Sequence, residues 1–175
     1  MKIREIETPR LLLRGFCKED ALWAYKIWND PEMGKYLPDK AIEGIDEAYL
    51  KELEQLGDDE ECCYLIPVLK DSKERVGTCS FIISPDREIY DIAYCVHKDL
   101  WCKGYATEIA KGLISFAKKN GASKVTIEVN QDNKASNRVA EKCGGKIVSE
   151  DVFVKRGTLG IKKTYKYEIN LIDKF

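Results

Sequence analysis

The stretch best suited to chemistry is Trp101-Cys102-Lys103-Gly104-Tyr105-Ala106-Thr107-Glu108, which runs directly into a long periodic apolar segment and so marks the start of a helix. The first turn of a helix presents backbone N–H groups with no intrahelical partner at the positive end of the helix dipole, and the two together bind phosphate. Gly104 and Ala106 carry little or no side chain, so the backbone from Cys102 and Lys103 through Tyr105, Ala106 and Thr107 can approach a pyrophosphate closely. An ordinary turn and helix cap accounts for the same residues equally well. Neither a G-x-x-x-x-G-K-S/T nor a G-x-G-x-x-G pattern occurs, which argues against a P-loop or a dinucleotide fold.

The elements around this loop follow from periodicity. Thr8-Pro9-Arg10-Leu11-Leu12-Leu13-Arg14 opens a strand. Ala21, Leu22, Tyr25 and Trp28 recur at helical spacing and stop at Asp30-Pro31; Ile45, Ala48, Tyr49, Leu53 and Leu56 form a second helical pattern ending at Gly57. Strand-like runs follow at Cys62–Leu69, Arg75–Ile83 and Ile89–Val96, read as an antiparallel meander. Thr107–Lys119 is an amphipathic helix closed by Asn120-Gly121. A strand at Lys124–Val129, a short helix at Lys134–Lys142 and strands at Lys146–Val154 and Lys162–Leu171 complete the order. The strand–helix–strand step around the Thr107 helix implies one parallel pair in a mostly antiparallel sheet. No repeat, low-complexity stretch or linker divides the chain, so one domain over residues 1–175 is expected.

Composition narrows the function. Hydrophobic residues make up 44% and charged residues 34%, a globular balance, and a formal net charge of −1 supplies no basic excess for nucleic acid or an anionic membrane. At 175 residues such a domain buries roughly 70% of its unfolded surface. The charged opening Met1-Lys2-Ile3-Arg4-Glu5 reads as no signal peptide, and no apolar run is long enough for a span, so a soluble cytoplasmic protein is expected. The seven cysteines include no C-x-x-C pair and there is a single histidine, His97, so no metal is expected and most of the thiols read as small buried hydrophobes.

The Gly104-Tyr105-Ala106-Thr107-Glu108 run resembles the acyl-CoA pyrophosphate loop of the GNAT superfamily, whose general pattern is Q/R-x-x-G-x-G/A. Three further segments, in the family's order, resemble its RimJ/RimL-like branch of ribosomal-protein N-terminal acetyltransferases. They are Thr8–Arg14 as opening strand, Asp91-Ile92-Ala93-Tyr94-Cys95-Val96 before the loop, and Asn133-Lys134-Ala135-Ser136-Asn137 through Gly144 as the second CoA-facing helix. Trp101 stands where the general pattern has Gln or Arg, and Gly145 where Phe normally follows Gly144. The resemblance implies a mixed α/β (α+β) fold: a mostly antiparallel sheet of about seven strands, a splayed parallel pair, and helices on both faces. It implies acetyl-CoA as cosubstrate and a primary amine as acceptor, either a protein N-terminus or a small molecule. A homodimer is compatible with the family.

The same resemblance assigns roles. Tyr94, Cys95 and Val96 lie on the splayed strand along the pantetheine arm, and a backbone N–H near Cys95 would stabilise the oxyanion formed on attack. Ordinary strand pairing is the alternative. Asp91 is the candidate base for the acceptor amine, with Glu88 the weaker one and a solvated strand end the competing reading. His97 reads as a solvated turn residue. Many relatives carry a tyrosine four residues before the glycine to serve the leaving sulfur; here that residue is Ala140, and Ser136 would serve instead. Asn133 and Asn137 resemble residues that contact the CoA arm, though either also suits a helix cap. Trp23, Tyr25 and Trp28 suit core packing, and the acidic Asp58–Glu61 run a solvated face. A non-catalytic acyl-CoA sensor is the alternative function.

Overall fold

The computed structural model describes residues 5–158 and 160–172. The charged opening Met1–Arg4, on which the leader-peptide reading rests, lies outside them. Among the described residues the chain forms eight strands in one sheet, in the order β1-β2-β3-β4-β5-β6-β8-β7. These are β1 (Glu5–Glu7), β2 (Leu11–Gly15), β3 (Cys62–Leu69), β4 (Gly77–Ile83), β5 (Ile89–Val96), β6 (Lys124–Asn130), β7 (Lys146–Val154) and β8 (Ile161–Asn170). Four α-helices accompany them: α1 (Ala21–Trp28), α2 (Glu47–Leu53), α3 (Tyr105–Lys119) and α4 (Lys134–Lys142).

The strand missing from the sequence reading is β1. With Ile6 buried between exposed Glu5 and Glu7, it is too short to show a period, and it forms because Ile6 lies opposite Leu13 on β2. Thr8 makes the turn between them, its Oγ1 accepting the Leu11 N–H at 3.0 Å. Ile45, expected inside the second helix, lies outside it, because Asp46 caps α2 by accepting the Ala48 and Tyr49 N–H groups.

Strands alternate side chains between faces, and β3 shows both sides at once. Leu65 joins the larger core under α3 and α4, while Ile66 and Val68 join the core under α1 and α2. Helices therefore cover both faces. The start of α1 is pinned to the sheet by Asp20, which is fully buried. Arg14 grips its carboxylate with two bonds of 2.7 and 2.8 Å, and Arg75 adds a third of 2.8 Å. Burial alone would push this carboxyl up, but the guanidiniums and the Cys17 groups outweigh it and hold it far below the usual range.

The feature that positions the site is the β5–β6 pair. It is parallel and short: Ile89, Tyr90 and Asp91 lie opposite Lys124, Val125 and Thr126, and beyond Asp91 the strands have no further register partners in each other. β5 stays on β4 as far as Val96, and β6 stays on β8 as far as Asn130. The sheet is thus split along its middle, with Asp91 at the apex. No helix of the described residues is long and apolar enough to cross a membrane.

Candidate active site

The loop after β5 enters α3 through two left-handed residues, Cys102 (φ 62°) and Gly104 (φ 81°). Gly104 occupies the capping position of α3 and has no side chain with which to cap it. The first main-chain bond of the helix is Glu108 N–H to Gly104 C=O, at 3.1 Å. Among the described residues, the N–H groups from Cys102 to Thr107 find no acceptor in the chain. An uncapped helix start with successive orphan donors is an anion site in waiting.

Long-range contacts hold this loop in place. Glu108 Oε1 accepts the Thr8 hydroxyl at 2.6 Å and the Arg10 N–H at 2.7 Å, and its Oε2 takes the Arg10 Nε at 2.6 Å. The same guanidinium donates to the Lys103 carbonyl at 3.0 Å and lies 4.3 Å from the Tyr105 ring centroid. Burial pushes the Glu108 carboxyl up, and these donors more than reverse it, holding it below its usual value. Trp101 donates its Nε1–H to the Val96 carbonyl at 2.7 Å, tying the loop to the end of β5. This is what the aromatic residue does where the general pattern has Gln or Arg.

Register decides which groups of β5 face the split. The Ile89 carbonyl accepts the Ser84 N–H, and the His97 N–H bonds the Val76 carbonyl. The Cys95 carbonyl lies hard against Gly77. Asp91, Ala93 and Cys95 therefore turn their main-chain groups toward β4. Tyr94 and Val96 turn theirs toward β6, on the unpaired stretch. The N–H that a thioester carbonyl could meet is thus that of Tyr94 or Val96, one residue either side of Cys95, whose own N–H belongs to the β4 ladder. Burial raises the Cys95 thiol to about 12, so it is no thiolate nucleophile at neutral pH.

Asp91 accepts the Thr126 hydroxyl at 2.6 Å across the last rung of the parallel pair. It keeps contact with solvent through the opening, yet crowding by protein atoms is the leading effect and raises its pKa above the usual carboxylate value, against the lowering effect of Thr126. A carboxylate with a raised pKa is a stronger base. Glu88 lies at the closed end, its carbonyl bound by the Ser123 and Lys124 N–H groups.

On the β6 side of the split, α4 is capped by Asn133, whose side chain accepts the Ser136 N–H at 3.1 Å. Asn137 is buried and spent within the chain: its amide donates to the Asn130 carbonyl at 3.1 Å and its oxygen accepts the Tyr167 hydroxyl at 2.8 Å. Asn137 thus has both ends of its side chain engaged within the chain, whereas Asn133 uses only its oxygen to cap α4. Ala140 is fully buried. Gly145 has no room for a side chain, since a Cβ there would lie 2.9 Å from the Ala140 carbonyl oxygen and 3.3 Å from Tyr167 Cβ; Tyr167 occupies the space beneath the helix end. Ser136 Oγ lies 2.9 Å from the Tyr94 hydroxyl, a contact between residues 42 apart that spacing could not reveal. His97 caps the turn Lys98–Leu100 and stacks on Trp23 at 6.3 Å, away from the apex in sequence and partners. Among the described residues no group of His, Cys, Asp and Glu is placed to hold a metal ion.

The family profile described as "Acetyltransferase (GNAT) domain" matches residues 10–146, and the chain belongs to that family. It is 26% identical over 167 residues to the uncharacterized N-acetyltransferase YoaA of Bacillus subtilis, covering 93% of this chain and 88% of that one. A GNAT-family acetyltransferase from Bacillus anthracis superposes with a TM-score of 0.83 at 21% identity, covering 95% of this chain and 98% of the other. The microcin C7 self-immunity acetyltransferase MccE, solved with acetyl-CoA and AMP, gives a TM-score of 0.78 at 21% identity and 93% coverage of both chains. The protein is an acetyltransferase.

Proposed function

We propose that residues 1–175 act as one cytoplasmic acetyltransferase domain of the RimJ/RimL-like branch, transferring acetyl from acetyl-CoA to a primary amine by direct attack in a ternary complex. The observation that carries this reading is the uncapped start of α3 at the mouth of a split sheet. Orphan N–H groups of the Cys102–Thr107 loop receive the pyrophosphate, and the unpaired edge of β5 at Tyr94 and Val96 receives the pantetheine arm. The N–H of Tyr94 or Val96 stabilises the oxyanion. Ser136, at the first turn of α4, serves the leaving sulfur; Asn133 and Asn137 contribute by holding that turn in place. The acceptor is an α-amino group of a peptide or a small-molecule amine. Its raised pKa suits Asp91 to take the proton, directly or through one water.

An α-amino group near pKa 8 is far easier to deprotonate than an alkylamine near 10, so a carboxylate base suffices for it. Asp91→Asn lowers kcat by roughly 100-fold, within the usual range for a general base, and leaves acetyl-CoA affinity nearly unchanged. Thiol release with a panel of peptides and small amines, followed against pH, checks this. The deficit shrinks as pH rises, because more acceptor arrives neutral, and the contribution of Asp91 to the acidic limb of the wild-type profile is shifted upward from that of an ordinary aspartate. Wild-type kcat in Asp91→Asn at every pH would remove Asp91 from the mechanism.

A further inference from the structure

Tyr94 projects from the half of β5 that has left β6, and Ser136 stands on α4, which Asn137 ties to the end of β6 through the Asn130 carbonyl. Their hydroxyls, 2.9 Å apart, therefore bridge the two sides of the split. Apart from its contact with Tyr94, Ser136 Oγ has no other side-chain partner among the described residues. Tyr94 packs against the main core, and burial raises its phenol to about 12. It is a phenol, and a donor, at every working pH. Its other acceptor in reach, the Ser136 carbonyl at 3.5 Å, is the poorer one.

A serine hydroxyl has one proton and can both accept and donate. When Tyr94 donates to Ser136 Oγ, the Ser136 proton is released from the pair and free to point into the split. Chained hydroxyls polarise one another, so the outer one becomes the stronger donor. We infer that Tyr94 is a positioning residue: its phenol donates to Ser136 Oγ and thereby commits the Ser136 proton to the sulfur of CoA, stabilising the thiolate as the C–S bond breaks. No proton needs to leave Tyr94, since the electron pair stays on sulfur under a donated hydrogen bond until solvent protonates it. This inference rests on the acetyl-CoA placement proposed above.

The test needs no acceptor. CoA and desulfo-CoA are titrated calorimetrically into the wild type, Tyr94→Phe, Ser136→Ala and the double variant, from about pH 7 to about pH 10, across the range where a thiol ionises. A donor to sulfur favours the thiolate and lowers the thiol pKa on the protein. Wild-type affinity for CoA then rises with pH through that lowered pKa and levels off above the free one, gaining about tenfold if the bound thiol ionises one pH unit below the free thiol; desulfo-CoA shows no such gain. Tyr94→Phe and Ser136→Ala each lose the gain, the double variant loses no more than either, and all keep wild-type affinity for desulfo-CoA. A full gain in Tyr94→Phe overturns the inference. So does an equal loss of desulfo-CoA affinity in Tyr94→Phe, which would make the pair a mere support of cleft shape. A wild type that binds both ligands identically at every pH also overturns it while leaving the proposed function standing, whereas a wild type that binds neither fails the proposed function itself.

Discussion

The two helices that begin beside the split start in opposite ways. α4 closes its own N-terminus: Asn133 accepts the Ser136 N–H, and the Asn133 carbonyl accepts the Asn137 N–H at 3.0 Å. α3 begins with Gly104, whose positive φ aims the chain into the helix and whose lack of a side chain leaves the first N–H groups open. A cap of the Asn133 kind is worth about 1 kcal/mol, and α3 forgoes it. What fixes α3 instead comes from the far end of the chain, the Thr8 and Arg10 donors gathered on Glu108. The capped end is closed by a neighbour in sequence; the uncapped end is held from a distance.

The comparison breaks most sharply at Gly104. A Cβ there would find room, its nearest neighbour being Arg10 Nη2 at 3.5 Å, so the cost of Gly104→Val is conformational. A β-branched residue at φ 81° is strained by about 1–2 kcal/mol, and relief of that strain turns the orphan N–H groups away from the phosphates. Hydrogen bonds to a charged group contribute about 1.5–3 kcal/mol each, so acetyl-CoA affinity falls on the order of 100-fold. Calorimetry on a variant with wild-type circular dichroism measures it; unchanged affinity would remove the loop from the cofactor site.

Much of this loop was legible in the sequence because its signal is local. Small residues directly ahead of an amphipathic helix mark the turn and the helix start, and the order of elements along the chain follows from period and punctuation. What escaped was whatever depends on pairing. β1 is a strand only because β2 lies beside it. The direction of the Cys95 N–H depends on strand parity, which a shift of one residue reverses. The partners of Glu108 lie 98 and 100 residues away, and Tyr94 meets Ser136 only once α4 is docked on β6. Asn137 resembled a ligand-contacting residue, yet it is consumed by Asn130 and Tyr167, because tertiary neighbours claimed its amide first.

A smaller effect comes from releasing the distant hold. Arg10→Ala removes the Glu108 ion pair, the bond to the Lys103 carbonyl and the contact over Tyr105, while the main-chain N–H of residue 10 still reaches Glu108. The loop then loses preorganisation, not its donors, and acetyl-CoA affinity drops by about tenfold, or about 1.4 kcal/mol. Glu108→Gln weakens the same hold from the other side. Residues in one network are not additive, so the double variant loses little more than Arg10→Ala alone. Additive losses in the double-mutant cycle would mean that Arg10 meets the cofactor itself.

The smallest effect tests the sealed end. Asn133→Ala takes the cap from α4 and leaves the Ser136 N–H facing water, which costs about 1 kcal/mol of folding stability. Asn133→Asp keeps an acceptor at the same place and adds a negative charge beside the helix start, so it retains most of that stability. Urea unfolding of the three proteins, with equal slopes, reads the difference directly. Acetyl-CoA affinity moves far less in Asn133→Ala than in Gly104→Val, because α4 stays packed through Val139 and Ala140 while its first turn only frays. The two helix ends are then separable by experiment: one substitution lowers binding with modest loss of stability, the other lowers stability with modest loss of binding. If Asn133→Ala weakens acetyl-CoA as much as Gly104→Val does, Asn133 is a ligand contact as well as a cap, and the contrast between the sealed and the open end does not describe this site.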